Sequence, residues 1–146
     1  MRLSSLADYA VVMLTAAARR CMGMPCSAAV IAAETGVPLP TAQKLVSRLA
    51  AAGLVESARG TGGGFRLSRP AAAISLADIV EAVEGPIRLT TCVEGAAHDC
   101  GLDHQCHVKP HWGVVNEAVR GALAGVSLAT LSSVQPRAAE RVEVLA

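Results

Sequence analysis

A mainly α-helical fold with one small β-hairpin is what this sequence predicts, on three observations. Hydrophobic residues make up 52% of the 146 residues but aromatic ones only 2%, a balance that suits closely packed helices built from small aliphatic side chains. Apolar residues recur at helical spacing in successive stretches, each bounded by Ser, Gly or Pro. One stretch breaks that rhythm: LVESARGTGGGFRLSR reads as strand, Gly-rich turn, strand. The length fits one domain with a small core, or a small domain with an appendage.

The first helix runs through SSLADYAVVMLTAAARR. Leu3, Leu6, Ala10, Met13, Leu14 and Ala17 share its face, and Ser5 with Asp8 has capping-box spacing. Gly23 and Pro25 in CMGMPC end it. Cys26 is expected to be a buried small hydrophobe, while no pattern assigns Cys21. Ser27 caps a short helix, SAAVIAAET, that Gly36 ends. After the VPLP turn, Pro40 suits the first turn of PTAQKLVSRLAAA, which Gly53 closes. Two short helices joined by a tight Gly-containing turn have the shape of a helix-turn-helix.

That third helix has two faces. Ala42, Leu45, Val46 and Leu49 can pack inward, whereas Thr41, Gln43, Lys44, Ser47 and Arg48 point away. An ordinary surface helix would show the same pattern. The segment after it tips the balance. Leu54, Val55, Phe65 and Leu67 supply strand-like apolar positions, and Gly60, Gly62, Gly63 and Gly64 permit the turn. Residues 40–69 carry Lys44, Arg48, Arg59, Arg66 and Arg69 against Glu56 alone, a local charge of +4 on a chain of net +1. A basic hairpin directly after a helix-turn-helix makes a winged helix-turn-helix, so the expected partner is double-stranded DNA. Lys44, Arg48, Arg59 and Arg66 are the candidates for phosphates. Thr41, Gln43 and Ser47 are the candidates for base edges, with Gln43 able to pair bidentately with adenine. The glycines are not a nucleotide loop, since no GxxxxGK[ST] is present and no helix follows at once.

Downstream, ISLADIVEAVEGP is a helix with Ser75 and Asp78 in capping-box spacing and Gly85–Pro86 as its stop. PHWGVVNEAVRGALAGV forms a longer one, striped by Trp112, Val115, Val119, Ala122, Leu123 and Val126. Its small residues allow close approach of a second copy, so a C-terminal dimerisation helix is expected. Ser127 caps a last short turn, LATLSS, and the tail from about residue 134 is expected to be flexible.

Between these two helices lies CVEGAAHDCGLDHQCHVKPHW. Three of the five cysteines and all four histidines fall within it. An odd cysteine count argues against a secreted disulfide framework, and such clustering points to metal or redox work. No apolar run approaches the ~20 residues that cross a bilayer, and no signal peptide is recognisable, so a cytoplasmic chain with no membrane partner is expected. No nucleophile–base motif is assembled, which argues against an enzyme. Cys92, Cys100 and Cys106 are spaced C-x7-C-x5-C, unlike the close CxxC pairs of a zinc ribbon. Soft thiolates on a wide loop suit an iron–sulfur cluster as well as zinc, and three of them leave one position to fill. His107 is a local candidate for that position, with His104 and His111 beside it.

The stretches MRLSSLADYAV, TGVPLPTAQKLVSRLAAAGLVESARGTGGGFRLSRP and ISLADIVEAVEGP, with the three cysteines and Trp112 after them, stand in one order over about residues 1–133. On these residues the chain resembles the IscR/NsrR/RirA-type winged-helix regulators that sense iron–sulfur clusters, most closely those controlling the SUF cluster-assembly system. The resemblance implies a homodimer on a pseudo-palindromic operator. It also implies a cluster, 2Fe-2S or 4Fe-4S, carried by Cys92, Cys100 and Cys106. It divides the chain into a DNA-binding domain at 1–85, a cluster loop at 86–109 and a dimerisation helix with its following turn at 110–133. In IscR-type members a histidine three residues past the last cysteine is the fourth ligand, but Lys109 stands there. In NsrR-type members an aspartate of the first helix reaches over from the partner subunit, and Asp8 holds that place. The rival expectations are a winged-helix regulator that uses zinc or thiol oxidation, and a Cys/His metal-binding protein without a DNA function.

Overall fold

In the computed structural model the chain forms α1 (Ser5–Cys21), α2 (Ala28–Thr35), α3 (Leu39–Ala51), β1 (Val55–Ala58), β2 (Gly64–Leu67), a 3-10 turn at Ala71–Ala73, α4 (Leu76–Glu84), α5 (Lys109–Ala124) and α6 (Leu128–Ser133). The structure describes residues 1–58, 64–93, 100–102 and 104–133. Arg59 and the turn glycines Gly60, Gly62 and Gly63 lie outside the described residues, as do His98, Asp99, Asp103 and the tail expected from residue 134. The mainly helical chain with a two-stranded hairpin is the architecture the sequence predicts.

The helix ends follow from local chemistry. Ser27 Oγ accepts from the Ala29 N–H, and Gly36 ends α2 at φ +79°. At the end of α3 the Leu54 N–H donates to the Leu49 carbonyl and the Gly53 N–H to Ala50, with Gly53 at φ +76°. That pairing is a Schellman stop, and it turns the chain straight into β1. Ser75 and Asp78 form the expected reciprocal box at the head of α4. The first helix differs from expectation by one residue. Ser4, with extended backbone, caps α1 by accepting from Ala7, and Ser5 is already helical. Leu3 therefore precedes the helix and is 43% exposed instead of joining its buried face.

Met13, Leu14, Ile31, Leu45, Leu49, Phe65, Ile74, Ile79 and Leu128 are fully buried, each stabilising the fold by about 1.5–3 kcal/mol. α1 runs through this core and packs against α2, α3, α4 and α6. The hairpin pairs β1 with β2 antiparallel, Val55 opposite Leu67 and Glu56 opposite Arg66, and Phe65 anchors it inward. The chain beyond α5 returns to the same core. The Leu76 N–H donates to Val126, the Leu128 N–H donates to Ile74, and Leu128 is fully buried. α5 makes its main contact with α4. Among the described residues no helix is long and apolar enough to cross a membrane.

Candidate DNA interface and metal centre

α3 turns its apolar stripe into the core, with Ala42, Leu45 and Leu49 fully buried. That rotation leaves Gln43, Lys44, Ser47 and Arg48 exposed on the other side and Thr41 half-exposed. The Ser47 hydroxyl donates to the Gln43 carbonyl at 3.2 Å, one turn back. Arg48 has a second duty. Its Nη1 donates to the Val83 carbonyl at 2.9 Å, in the last turn of α4, where helical carbonyls lack partners. Four guanidinium N–H groups remain for a phosphate. Leu39, 41% exposed in the first turn of α3, also lies on this helix.

On the hairpin, Arg66 donates through Nε and Nη2 to one oxygen of Glu56, at 3.0 and 2.9 Å. The pair crosses the strands on their outer side and is exposed at both ends. It orients the guanidinium more than it stabilises the fold.

The cysteine segment leaves α4 through a polar hub. Asn116, the one buried side chain of α5, donates to the Ile87 carbonyl and accepts from the Leu89 N–H, both at 2.9 Å. Arg120 grips both oxygens of Glu81, at 2.9 and 3.1 Å. The Arg120 hydrogen bonds hold the Glu81 carboxyl below its ordinary range, against the opposing effect of burial. So α4, α5 and residues 87–89 are stitched together immediately before Cys92. Since Val83 also belongs to α4, the same helix carries a hydrogen bond to α3.

Cys92, Cys100 and Cys106 are all half-buried, and Cys92 Sγ lies 3.1 Å from the Thr90 hydroxyl. His104, His107 and His111 are exposed. Asp8 is exposed in the first turn of α1. Among the described residues no three His, Cys, Asp or Glu side chains converge to hold a metal, so neither Asp8 nor His107 is gathered with the three thiols. The donor chemistry nonetheless fits a thiolate-bound group. Three soft sulfurs lie on one segment with its root fixed, and none is sealed in the core.

Residues 3–133 match the Rrf2 family, whose description is iron-dependent transcriptional regulator. The chain belongs to the Rrf2 family. It is 34% identical over 131 residues to the HTH-type transcriptional regulator IscR of Photobacterium profundum, across 90% of this chain and 75% of that one. Its fold is similar to that of CymR, the global cysteine regulator of B. subtilis, with a TM-score of 0.70 and 28% identity, covering 91% of this chain and 97% of that one. T. potens IscR is similar at a TM-score of 0.67 and 26% identity, over 91% of this chain and 87% of that one. This Rrf2 chain is therefore a DNA-binding transcriptional regulator and not an enzyme. A Cys/His protein without a DNA function, one of the rival expectations, is set aside.

Proposed function

We propose that this Rrf2 regulator is a cytoplasmic homodimer that reports iron–sulfur cluster status to cluster-assembly genes, the SUF system among them. The observation that carries the reading is the hub. The segment bearing Cys92, Cys100 and Cys106 is tied at its root to α4 by Glu81 and to α5 by Asn116, Arg120 ties α5 to α4, and Arg48 ties α4 to α3. The likeness to two IscR proteins supports the choice of cofactor.

Two α3 helices of a dimer meet successive turns of a duplex, which calls for a pseudo-palindromic operator. Lys44, Arg48, Arg59 and Arg66 hold phosphates, so affinity falls as salt rises. Thr41, Gln43 and Ser47 read base edges. Cys92, Cys100 and Cys106 would hold the cluster, with Asp8 of the partner subunit or His107 as its further ligand, and the bound group would supply a tie that iron loss, oxidant or nitric oxide could undo. Glu81 passes the state of the segment to α4 directly, Asn116 passes it to α5 and so through Arg120 to α4, and Arg48 passes it to α3. Operator affinity changes by the ratio of cluster affinities in the two arrangements.

Reconstitution with iron and sulfide under argon tests this. A brown protein with visible absorbance is expected, with the colour lost in Cys92→Ala, Cys100→Ala and Cys106→Ala. Comparing Asp8→Ala with His107→Ala identifies the fourth ligand. Anisotropy of a labelled SUF-promoter duplex should differ between iron-loaded and iron-free protein. The likeness to CymR, which in Staphylococcus aureus also has an oxidised form, favours a second reading, a response through thiol oxidation, with zinc on the same thiols as its metal-bound variant. Colourless protein with stoichiometric zinc, or operator binding indifferent to iron, would establish it in place of the first.

A further inference from the structure

A second sulfur station lies at the other end of α1. Cys21 closes that helix, Met22 follows at φ +42° and Gly23 at φ +86°, and the chain folds back so that the Cys26 sulfur faces that of Cys21. Their Cα atoms are 6.0 Å apart, inside the span a disulfide bridges without moving the backbone. The two thiols differ in access. Cys26 is buried and borders only the second of two surface cavities, of about 450 and 500 Å³, whereas half-buried Cys21 lines both. Arg66 and Arg69 share the first cavity with Cys21, and Arg20 shares the second.

Cys26 is also joined to the hairpin. Its N–H donates to the Phe65 carbonyl at 2.7 Å, and the Phe65 N–H donates back at 2.8 Å. β2 therefore has β1 on one side and Cys26 on the other. Gly64 lets the two backbones approach, because a Cβ there would lie 2.7 Å from the Cys26 carbonyl carbon.

We infer that Cys21 and Cys26 are a reversible thiol–disulfide pair, separate from Cys92, Cys100 and Cys106, whose closure sets the position of the wing. The oxidant class is a hydroperoxide. The Cys21 thiolate attacks the outer peroxide oxygen, the O–O bond breaks, and an alcohol leaves once its oxygen is protonated. Cys21 is then a sulfenic acid. Cys26 attacks its sulfur, the S–S bond forms, the S–O bond breaks, and hydroxide departs as water. Two thiols and one peroxide give one disulfide, one alcohol and one water, with two electrons passing from sulfur to oxygen. A small dithiol reverses it by exchange. In the reducing compartment expected for this chain such a bond lasts only while oxidant does. The closed bond ties the end of α1 to the residue that holds β2. It removes freedom that DNA binding would otherwise have to remove, so the oxidised form binds more tightly.

The consequence for DNA rests on family membership and not on the cluster reading, and the test separates the two. Full-length protein and a full-length Cys92→Ala/Cys100→Ala/Cys106→Ala variant are treated with hydrogen peroxide, alkylated and digested with trypsin. Cleavage after Arg20 and Lys44 puts both cysteines on one peptide, 21–44, apart from the other three. That peptide should be lighter by two hydrogens and unalkylated, and dithiothreitol should restore two alkylated thiols. Wild-type mapping alone answers this if the triple variant does not fold. Anisotropy at low salt with a labelled duplex of about 30 base pairs, long enough for both heads of a dimer, should show about threefold or greater tightening on oxidation. Cys21→Ser should keep the reduced affinity and lose the tightening. Two alkylated thiols after peroxide overturn the pairing, as does protection without loss of hydrogens, the mark of a bound soft metal. A disulfide that leaves duplex affinity unchanged overturns its role at the wing.

Discussion

Gly64 answers to a contact that local pattern does not reveal. The Cβ of an alanine there would press on the Cys26 carbonyl and lie 3.2 Å from the Ser27 nitrogen, all backbone atoms that cannot rotate away. Gly64→Ala should therefore cost about 1–3 kcal/mol, seen as a lower urea midpoint at unchanged slope. In the sequence Gly64 is one of a run of glycines read together as turn residues, and nothing in the run marks the one that another segment approaches. Cys21 is a similar case. A separation of five residues does not say whether the intervening turn folds back, and only the left-handed Met22–Gly23 bend brings the sulfurs together. Glu81 gives a prediction in pH. Arg120 holds its carboxyl below the ordinary glutamate value of 4.5. The ion pair's contribution is therefore present above that value and is lost as pH falls through the lower folded value. Both side chains are partly exposed, so solvent screening keeps that contribution small. The melting temperature should decline on acidification, and Glu81→Gln should remove that share of the decline.

Between elements, what was legible in advance was what each helix decides for itself. The caps at Ser27 and Ser75 and the stops at Gly36, Gly53 and Gly85 depend on neighbours within a turn, so spacing alone exposes them. Ser4 and Ser5 offer the same hydroxyl one residue apart, which is why the start of α1 falls one place off. The joints were not legible, because each couples residues far apart in the chain. The pairing of Ser75 with Ser127 folds α6 back onto the core. Arg48, chosen from sequence for its charge, reaches Val83 thirty-five positions on. Asn116 is the joint with the sharpest consequence. Asn116→Ala leaves the Ile87 carbonyl and the Leu89 N–H without their partner, which should cost about 1–3 kcal/mol. It should also shrink the difference in operator affinity between iron-loaded and iron-free protein. A variant that loses stability yet keeps the full difference would show that the signal bypasses α5.

For the whole molecule the open question is what covers α5. The helix has sixteen residues, and among its described side chains only Asn116 is buried. Val114 is 73% exposed and Val115 43%. Gly113 and Gly121 each cost about 1 kcal/mol of helix propensity against alanine, and an isolated helix of this length is marginal in water. Contact with α4 holds one side, leaving the Val114–Val115 side for a second copy of the chain. Sedimentation should then show a dimer, and the melting temperature should rise with protein concentration because folding and association are linked. Val115→Glu places a charge on that side and should give monomers. Each monomer offers one α3 to the duplex, so operator affinity should fall by about two orders of magnitude or more as bivalence is lost. Val115 at 43% exposure keeps some contacts within the monomer, so a variant that still melts cooperatively and loses binding together with the dimer assigns both to α5. A Val115→Glu protein that remains dimeric places the interface elsewhere.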